Sequence, residues 1–100
     1  MEKDNVSIDE FVRAFEEVGE KMNLPNFEVK KGILEGDSVI FANYENGKLV
    51  EIQFFPDKKK SYAYARKYDK DYFSLMQNVA DITKTGPFGN GFIQEKPNNY

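Results

Sequence analysis

The chain has 100 residues, of which 40% are hydrophobic, 15% aromatic and 31% charged, and its formal net charge is -3. This apolar content suffices for one domain with its own core, so we predict a single α+β domain over residues 1–100, frayed at 1–5 and 94–100. The sequence contains no cysteine and no histidine, which excludes disulfides and thiolate sites and removes the commonest general base. We therefore expect no metal, no cofactor and no catalytic residues.

No apolar run approaches the roughly 18 residues of a membrane span, and the N-terminus is acidic without an apolar signal segment. We expect a cytoplasmic protein that does not bind membranes. The charge is asymmetric: residues 1–22 carry seven acidic and three basic side chains, whereas residues 58–70 carry six basic and one acidic. Such a separation of charge influences which partners the domain meets.

The first predicted element is an amphipathic helix. Ser7 as N-cap and Glu10 three residues later form a capping box, and Val6 and Phe11 are spaced for a hydrophobic staple. Pro25 predicts that this helix ends at Leu24 or earlier. Apolar residues recur at helical spacing along one side: Ile8, Phe11, Val12, Phe15, Val18 and Met22.

Residues 27–34 have the alternation of a strand, and residues 35–37 form a tight connection to the next one. A connection of either two or three residues is possible. We prefer the three-residue connection, which places Val29 opposite Asn43.

The next two strands are joined at Asn46 and Gly47, the strongest short hairpin signal, which predicts a two-residue turn. That register creates a core face with Val39, Phe41, Val50, Ile52 and Phe54. It leaves a second face with Ile40, Ala42, Tyr44, Leu49, Glu51, Gln53 and Phe55.

Pro56 marks a third turn, and residues 61–66 read as a fourth strand. A four-residue loop places Ala63 opposite Ile52 on the core face, and it places Tyr62 and Tyr64 on the second face. The free edges of this sheet are then residues 27–34 and 61–66.

A second helix follows, with Asp69 or Asp71 as its N-cap and a stop at Gly86 and Pro87. Its apolar stripe is Tyr72, Leu75, Met76, Val79 and Ile82. Residues 86–100 are predicted to form a docked arm, anchored by Phe88, Phe92 and Ile93. The predicted fold is a two-layer α+β sandwich with an N-terminal helix, a four-stranded antiparallel meander, a C-terminal helix and an extended tail.

The aromatic second face is the main candidate site, because a contiguous apolar patch rich in tyrosine is typical of protein interfaces. The predicted anchors are Tyr44, Phe55, Tyr62 and Tyr64. A charged rim of Lys59, Lys60, Arg66 and Lys67 surrounds them. The alternatives are that the second helix or the C-terminal arm covers this face, or that it forms a homodimer.

Two charged segments have competing interpretations. In residues 58–68, basic residues flank a run of tyrosines, as in single-stranded nucleic-acid platforms, but we favour a solvated turn whose charge protects an edge strand from pairing. The acidic side of the first helix, with Asp9, Glu16, Glu17 and Glu20, either meets a basic partner or is simply solvated.

Residues 15–55 resemble the small acidic chaperones of type III secretion, whose first helix ends in a stop like Met22-Asn23-Leu24-Pro25 before an antiparallel sheet. This resemblance implies a chaperone-like dimer. The chain is short and acidic, with no cysteine, no histidine and no catalytic set. In these respects it is similar to the anti-CRISPR-like inhibitors that phages and other mobile genetic elements carry against host defence. Our preferred interpretation is a non-enzymatic inhibitor or escort of a partner protein. We expect a monomer or a face-to-face dimer, never an edge-joined sheet.

Overall fold

The computed structural model describes residues 6–47, 49–58, 60–65, 69–85 and 93–97, the last range and residue 65 by their backbone only. The chain forms helix α1 (Ile8–Lys21), strands β1 (Glu28–Leu34), β2 (Asp37–Glu45), β3 (Leu49–Phe55) and β4 (Lys60–Ala65), helix α2 (Lys70–Thr83) and strand β5 (Ile93–Pro97). Strands β1 to β4 form an antiparallel meander. The predicted α+β fold is confirmed.

Both helices pack on the same side of the sheet. Helix α1 contributes Phe11, Ala14, Phe15 and Val18 to the core, and α2 contributes Tyr72, Leu75, Met76, Val79 and Ala80. The sheet contributes Ile40, Ala42, Tyr44, Val50, Ile52, Phe54 and Ala63. Helix α2 therefore joins α1 and does not cover the opposite face. The prediction that Ile82 belongs to the stripe is wrong: it is 41% exposed, and Thr83 is buried instead.

The predicted boundaries of α1 are confirmed. The Ser7 hydroxyl accepts a hydrogen bond from the Glu10 amide at 3.2 Å, and the Glu10 carboxylate accepts one from the Ser7 amide at 3.5 Å. Val6 packs against the core cluster that includes Phe11, and the helix ends at Met22, its C-cap.

Replacing Ser7 with Ala is expected to lower the free energy of unfolding by about 1 kcal/mol, because the first turn of α1 loses its side-chain acceptor. Urea denaturation measures the loss. Ser74→Ala is the matched control, since Ser74 is exposed inside α2, where alanine favours the helix. An equal loss in both variants would contradict a capping role.

The β2–β3 connection has three residues, not the predicted two. Glu45 pairs with Leu49, and Gly47 has a φ of +82°. The extra residue shifts the register by one and reverses the two faces of β2. Ile40, Ala42 and Tyr44 therefore lie in the core. Val39 and Phe41, predicted to be core-facing, lie on the other side of the sheet; the predicted faces of β3 are correct.

The β1–β2 connection also differs from the prediction, because it has two residues. Glu35 and Gly36 both have positive φ, at +53° and +86°, as a type I′ turn requires. Val29 consequently lies opposite Ala42 and not Asn43.

The β3–β4 register is as predicted, with Ala63 opposite Ile52. Beyond β4, however, β5 pairs in parallel with it, so that β4 is not an edge strand. Residues 94–97, expected to be frayed, belong to β5, while Phe88 and Phe92 lie outside the described residues. Asp69 is the N-cap of α2, and Lys84, not a glycine, adopts the left-handed conformation at its end.

Candidate functional site

The sheet has an outer face, opposite the two helices, and strand pairing sets its layout. One row across the strands contains Lys30, Phe41, Gln53 and Tyr62, and the next contains Glu28, Asn43, Glu51 and Tyr64. Alternation along the same strands adds Gly32, Val39, Phe55 and Lys60. Because each side chain in a row is adjacent to the next, the aromatic residues are distributed over one continuous surface.

The aromatic side chains of the outer face contact their neighbours and stay partly exposed. The rings of Phe55 and Tyr62 meet edge to face with centroids 6.1 Å apart. The Phe41 ring lies over Gly32, where an added Cβ would stand 2.7 Å from Phe41 Cε2. Beneath this layer, Val39 is fully buried although it lies outside the main core cluster. The face thus combines these apolar rings with three polar side chains of β2 and β3, Asn43, Glu51 and Gln53.

Three of the four predicted anchors lie together on this face: Phe55, Tyr62 and Tyr64. Lys60 is exposed and pairs with Phe55, so it stands at the rim as predicted. Lys59, Arg66 and Lys67 lie outside the described residues.

The assignment of Tyr44 to this face is wrong. Its side chain is fully buried in the core, and its hydroxyl donates a hydrogen bond to Asp69 Oδ2 at 3.0 Å. Burial, followed by the nearby Asp69 charge, raises the pKa of Tyr44 far above its ordinary value. Asp69 also accepts from the Asp71 amide at 2.9 Å. Tyr44 therefore links β2 to the start of α2 and is unavailable to a partner.

The sequence interpretation missed Phe41, which the outer face includes in place of Tyr44. The only available signal was the length of the β2–β3 connection, since a three-residue loop exchanges the two sets of β2 side chains. Both sets are apolar, so their composition does not discriminate between the registers.

The charges near the outer face are mixed. Lys58 Nζ lies 2.7 Å from Asp37 Oδ2, and the hydrogen bond to this carboxylate raises the pKa of Lys58. The same Nζ atom lies 6.0 Å from the centroid of the Phe55 ring. Glu51 lies beside Tyr64 on the adjacent strand. Lys58 is thus already engaged by a carboxylate, and one tyrosine has an acidic neighbour.

Fold and surface together define a small two-layer α+β domain with an aromatic outer sheet face. Neither helix among the described residues has the length and apolar composition that crossing a membrane requires. Those residues also hold no group of three or more acidic side chains close enough to bind a metal ion. Comparison with protein-family models, with curated proteins and with solved structures finds no match to this chain.

Proposed function

We propose that the protein is a non-enzymatic binding domain that docks its outer sheet face on a partner protein. The observation that carries the proposal is the placement of both helices on the opposite side, which leaves Phe55, Tyr62 and Tyr64 partly exposed together. Tyrosine and phenylalanine are enriched in the cores of interfaces because they bury a large area with few rotatable bonds. Lys60 supplies positive charge beside Phe55, and Lys30 lies at the opposite end of the row that contains Tyr62.

Within this proposal, the protein acts in the cytoplasm by blocking or escorting its partner. Inhibitors of this kind need only a rigid, complementary surface, and those that mobile genetic elements carry against host defence are often small and acidic like this chain. The proposal requires no cofactor and no catalytic group. A pull-down from the native host followed by mass spectrometry would identify the partner.

Replacing Tyr62 or Tyr64 with Ala is expected to weaken binding of the identified partner by about 1–3 kcal/mol each, because anchors of this type carry most of an interface's energy. Isothermal titration calorimetry measures the loss. Ile82→Ala is the matched control, since it removes an exposed apolar side chain from the helix layer. Circular dichroism must show both tyrosine variants folded. Unfolding, or affinity equal to the control, would contradict the assignment.

A second candidate function is single-stranded nucleic-acid binding by residues 58–68. The observation in its favour is that Tyr62 and Tyr64 point to one face of the sheet, as base stacking requires. It ranks lower because Lys58 is paired with Asp37 and because Glu51 neighbours Tyr64. Gel-shift titration across salt concentrations tests it: binding by phosphate contacts must weaken steeply as salt rises.

The chaperone-like dimer and the face-to-face dimer are tested by sedimentation velocity at micromolar concentration. Two-fold pairing of the outer faces would bury Tyr62 and Tyr64 of both copies, so Tyr62→Glu and Tyr64→Glu should each restore the monomer. A dimer that persists in both variants would place the contact elsewhere.

A further inference from the structure

A groove runs beside β1, which is the end strand of the sheet and pairs only with β2 among the described strands. Its volume is about 820 Å³, and it extends from the α1 surface at Glu16 and Glu20, past Phe27 and Glu28, to Phe41 at the margin of the outer face. An end strand presents unpaired backbone N–H and C=O groups to whatever occupies such a groove.

The floor of the groove is apolar because of one glycine. At Gly19 of α1, an added Cβ would stand only 2.3 Å from Phe27 Cδ2, so the Phe27 ring packs directly against the helix backbone. Leu24 and Val29 lie beside it and also line the groove. The Phe27 ring stays partly exposed, which leaves an apolar contact surface next to the free edge of β1.

The walls of the groove are acidic. Glu16, Glu20 and Glu28 line it with exposed side chains, against a single cation, Lys30. The next lysine along the strand, Lys31, donates a hydrogen bond to Asp9 of α1 at 2.8 Å. That hydrogen bond, followed by the Lys31 charge, lowers the pKa of Asp9. An occupant that lies along β1 therefore meets a net charge of -2 among the side chains that line the groove.

We propose that this groove binds an extended, lysine- or arginine-rich segment of a partner protein, which adds to the sheet as a strand beside β1. The free strand edge supplies backbone hydrogen bonds, and on the helix side Glu16 and Glu20 face the basic side chains, whose aliphatic stems contact Phe27. The apolar side chains between them point to the opposite side of the sheet, where Phe41 lines the groove. A second copy of this chain fits less well, because two-fold pairing of β1 edges would bring the acidic walls together. The groove shares Glu28, Lys30, Phe41 and Asn43 with the outer face, so the variants that test it are placed at Glu16 and Glu20 of α1, which the outer face does not include.

The test uses an array of hexapeptides with lysine or arginine at alternate positions and valine, leucine, phenylalanine or tyrosine between them. A matched array carries aspartate or glutamate in place of the basic residues. Affinities of the best basic peptides for the intact protein are then measured by fluorescence anisotropy at about 0.15 M salt, where charges beyond about 8 Å are screened. We expect basic peptides to bind and acidic ones not to.

The variants test the groove itself. Glu20→Gln should weaken the basic peptides about threefold, and Glu16→Gln combined with Glu20→Gln about tenfold, as expected for partly solvated ion pairs. Glu17→Gln is the control: it changes the net charge equally and lies on the same helix, but Glu17 does not line the groove and pairs with Lys21. Its affinity should stay within about 1.5-fold of the unmodified protein, since a screened surface charge contributes little.

Amide chemical shifts complete the test. Basic peptides should shift residues 27–30 most strongly. Only every second backbone N–H group of an added strand points toward β1, so N-methylation of one alternating set of nitrogens should abolish binding and N-methylation of the other set should not. No preference for basic peptides, equal losses in Glu17→Gln, shifts centred on Tyr62 and Tyr64, or binding that N-methylation of neither set weakens would each overturn the proposal. Self-association whose strength changes in the Glu16→Gln, Glu20→Gln double variant would identify a second copy as the occupant, and would also overturn the proposal.

Discussion

Replacing Phe54 with Ala is expected to lower the free energy of unfolding by about 3–5 kcal/mol, the largest effect that we predict for a single substitution. Phe54 is fully buried at the centre of the core, where its ring meets Phe11 at 4.8 Å and Phe15 at 5.6 Å between centroids. Removing the ring leaves a cavity that helix α1 on one side and the sheet on the other cannot readily close. Urea denaturation at 25 °C measures the loss.

The adjacent residue is the matched control. Phe55 is chemically identical but lies on the outer face, partly exposed, with Tyr62 as its ring neighbour. Phe55→Ala should therefore cost only about 1 kcal/mol. If Phe54→Ala fails to fold, Phe54→Leu supplies a milder core change with a loss of about 1.5 kcal/mol or less. Equal losses at positions 54 and 55 would contradict the assignment of the two sheet faces.

Replacing Tyr44 with Phe is expected to lower the free energy of unfolding at pH 7 by about 2 kcal/mol, because Asp69 loses the hydrogen bond that the Tyr44 hydroxyl donates. Because the aromatic ring is kept, the measured loss reports the contribution of the hydroxyl group and not that of ring packing. Combining it with Asp69→Asn in a double-mutant cycle isolates the pair, since asparagine still serves as an N-cap. Additive losses would show that the two groups do not interact.

The same variant is expected to change the dependence of stability on pH. The pKa of Tyr44 is raised in the folded state above its unfolded value of 10.0, so the folded state holds this proton more tightly. The stabilisation is complete below pH 10 and is lost as the pH rises further, by up to about 1.4 kcal/mol per pH unit. Tyr44→Phe lacks this proton, so the stability gap between the two proteins should narrow above pH 10. A constant gap from pH 7 to 11 would contradict the environment assigned to Tyr44.

Local sequence signals were sufficient for the element types and for several boundaries. The capping box at Ser7 and Glu10 is confirmed, and of the two N-cap candidates for α2, Asp69 and Asp71, the structure has Asp69. Both signals depend on side chains within three residues of the helix start. The register of β3 against β4 is also confirmed, since a four-residue loop after Phe55 fixes which residues pair. That register alone predicted that Tyr62 and Tyr64 share a face with Phe55.

The face that β2 buries was decided only by the tertiary structure. Both faces of β2 are apolar, so alternation did not show which of them is buried. One face carries Val39 and Phe41, and the other carries Ile40, Ala42 and Tyr44. The hydrogen bond between Tyr44 and Asp69 joins residues 25 positions apart, and no local pattern encodes it. The pairing of β5 with β4 likewise depends on a chain return after α2. Sequence therefore determined the features that short-range contacts fix, which are the element types and several of their boundaries. Long-range packing decided which aromatic side chains the sheet buries and which it exposes, because both arrangements satisfy the same local periodicity.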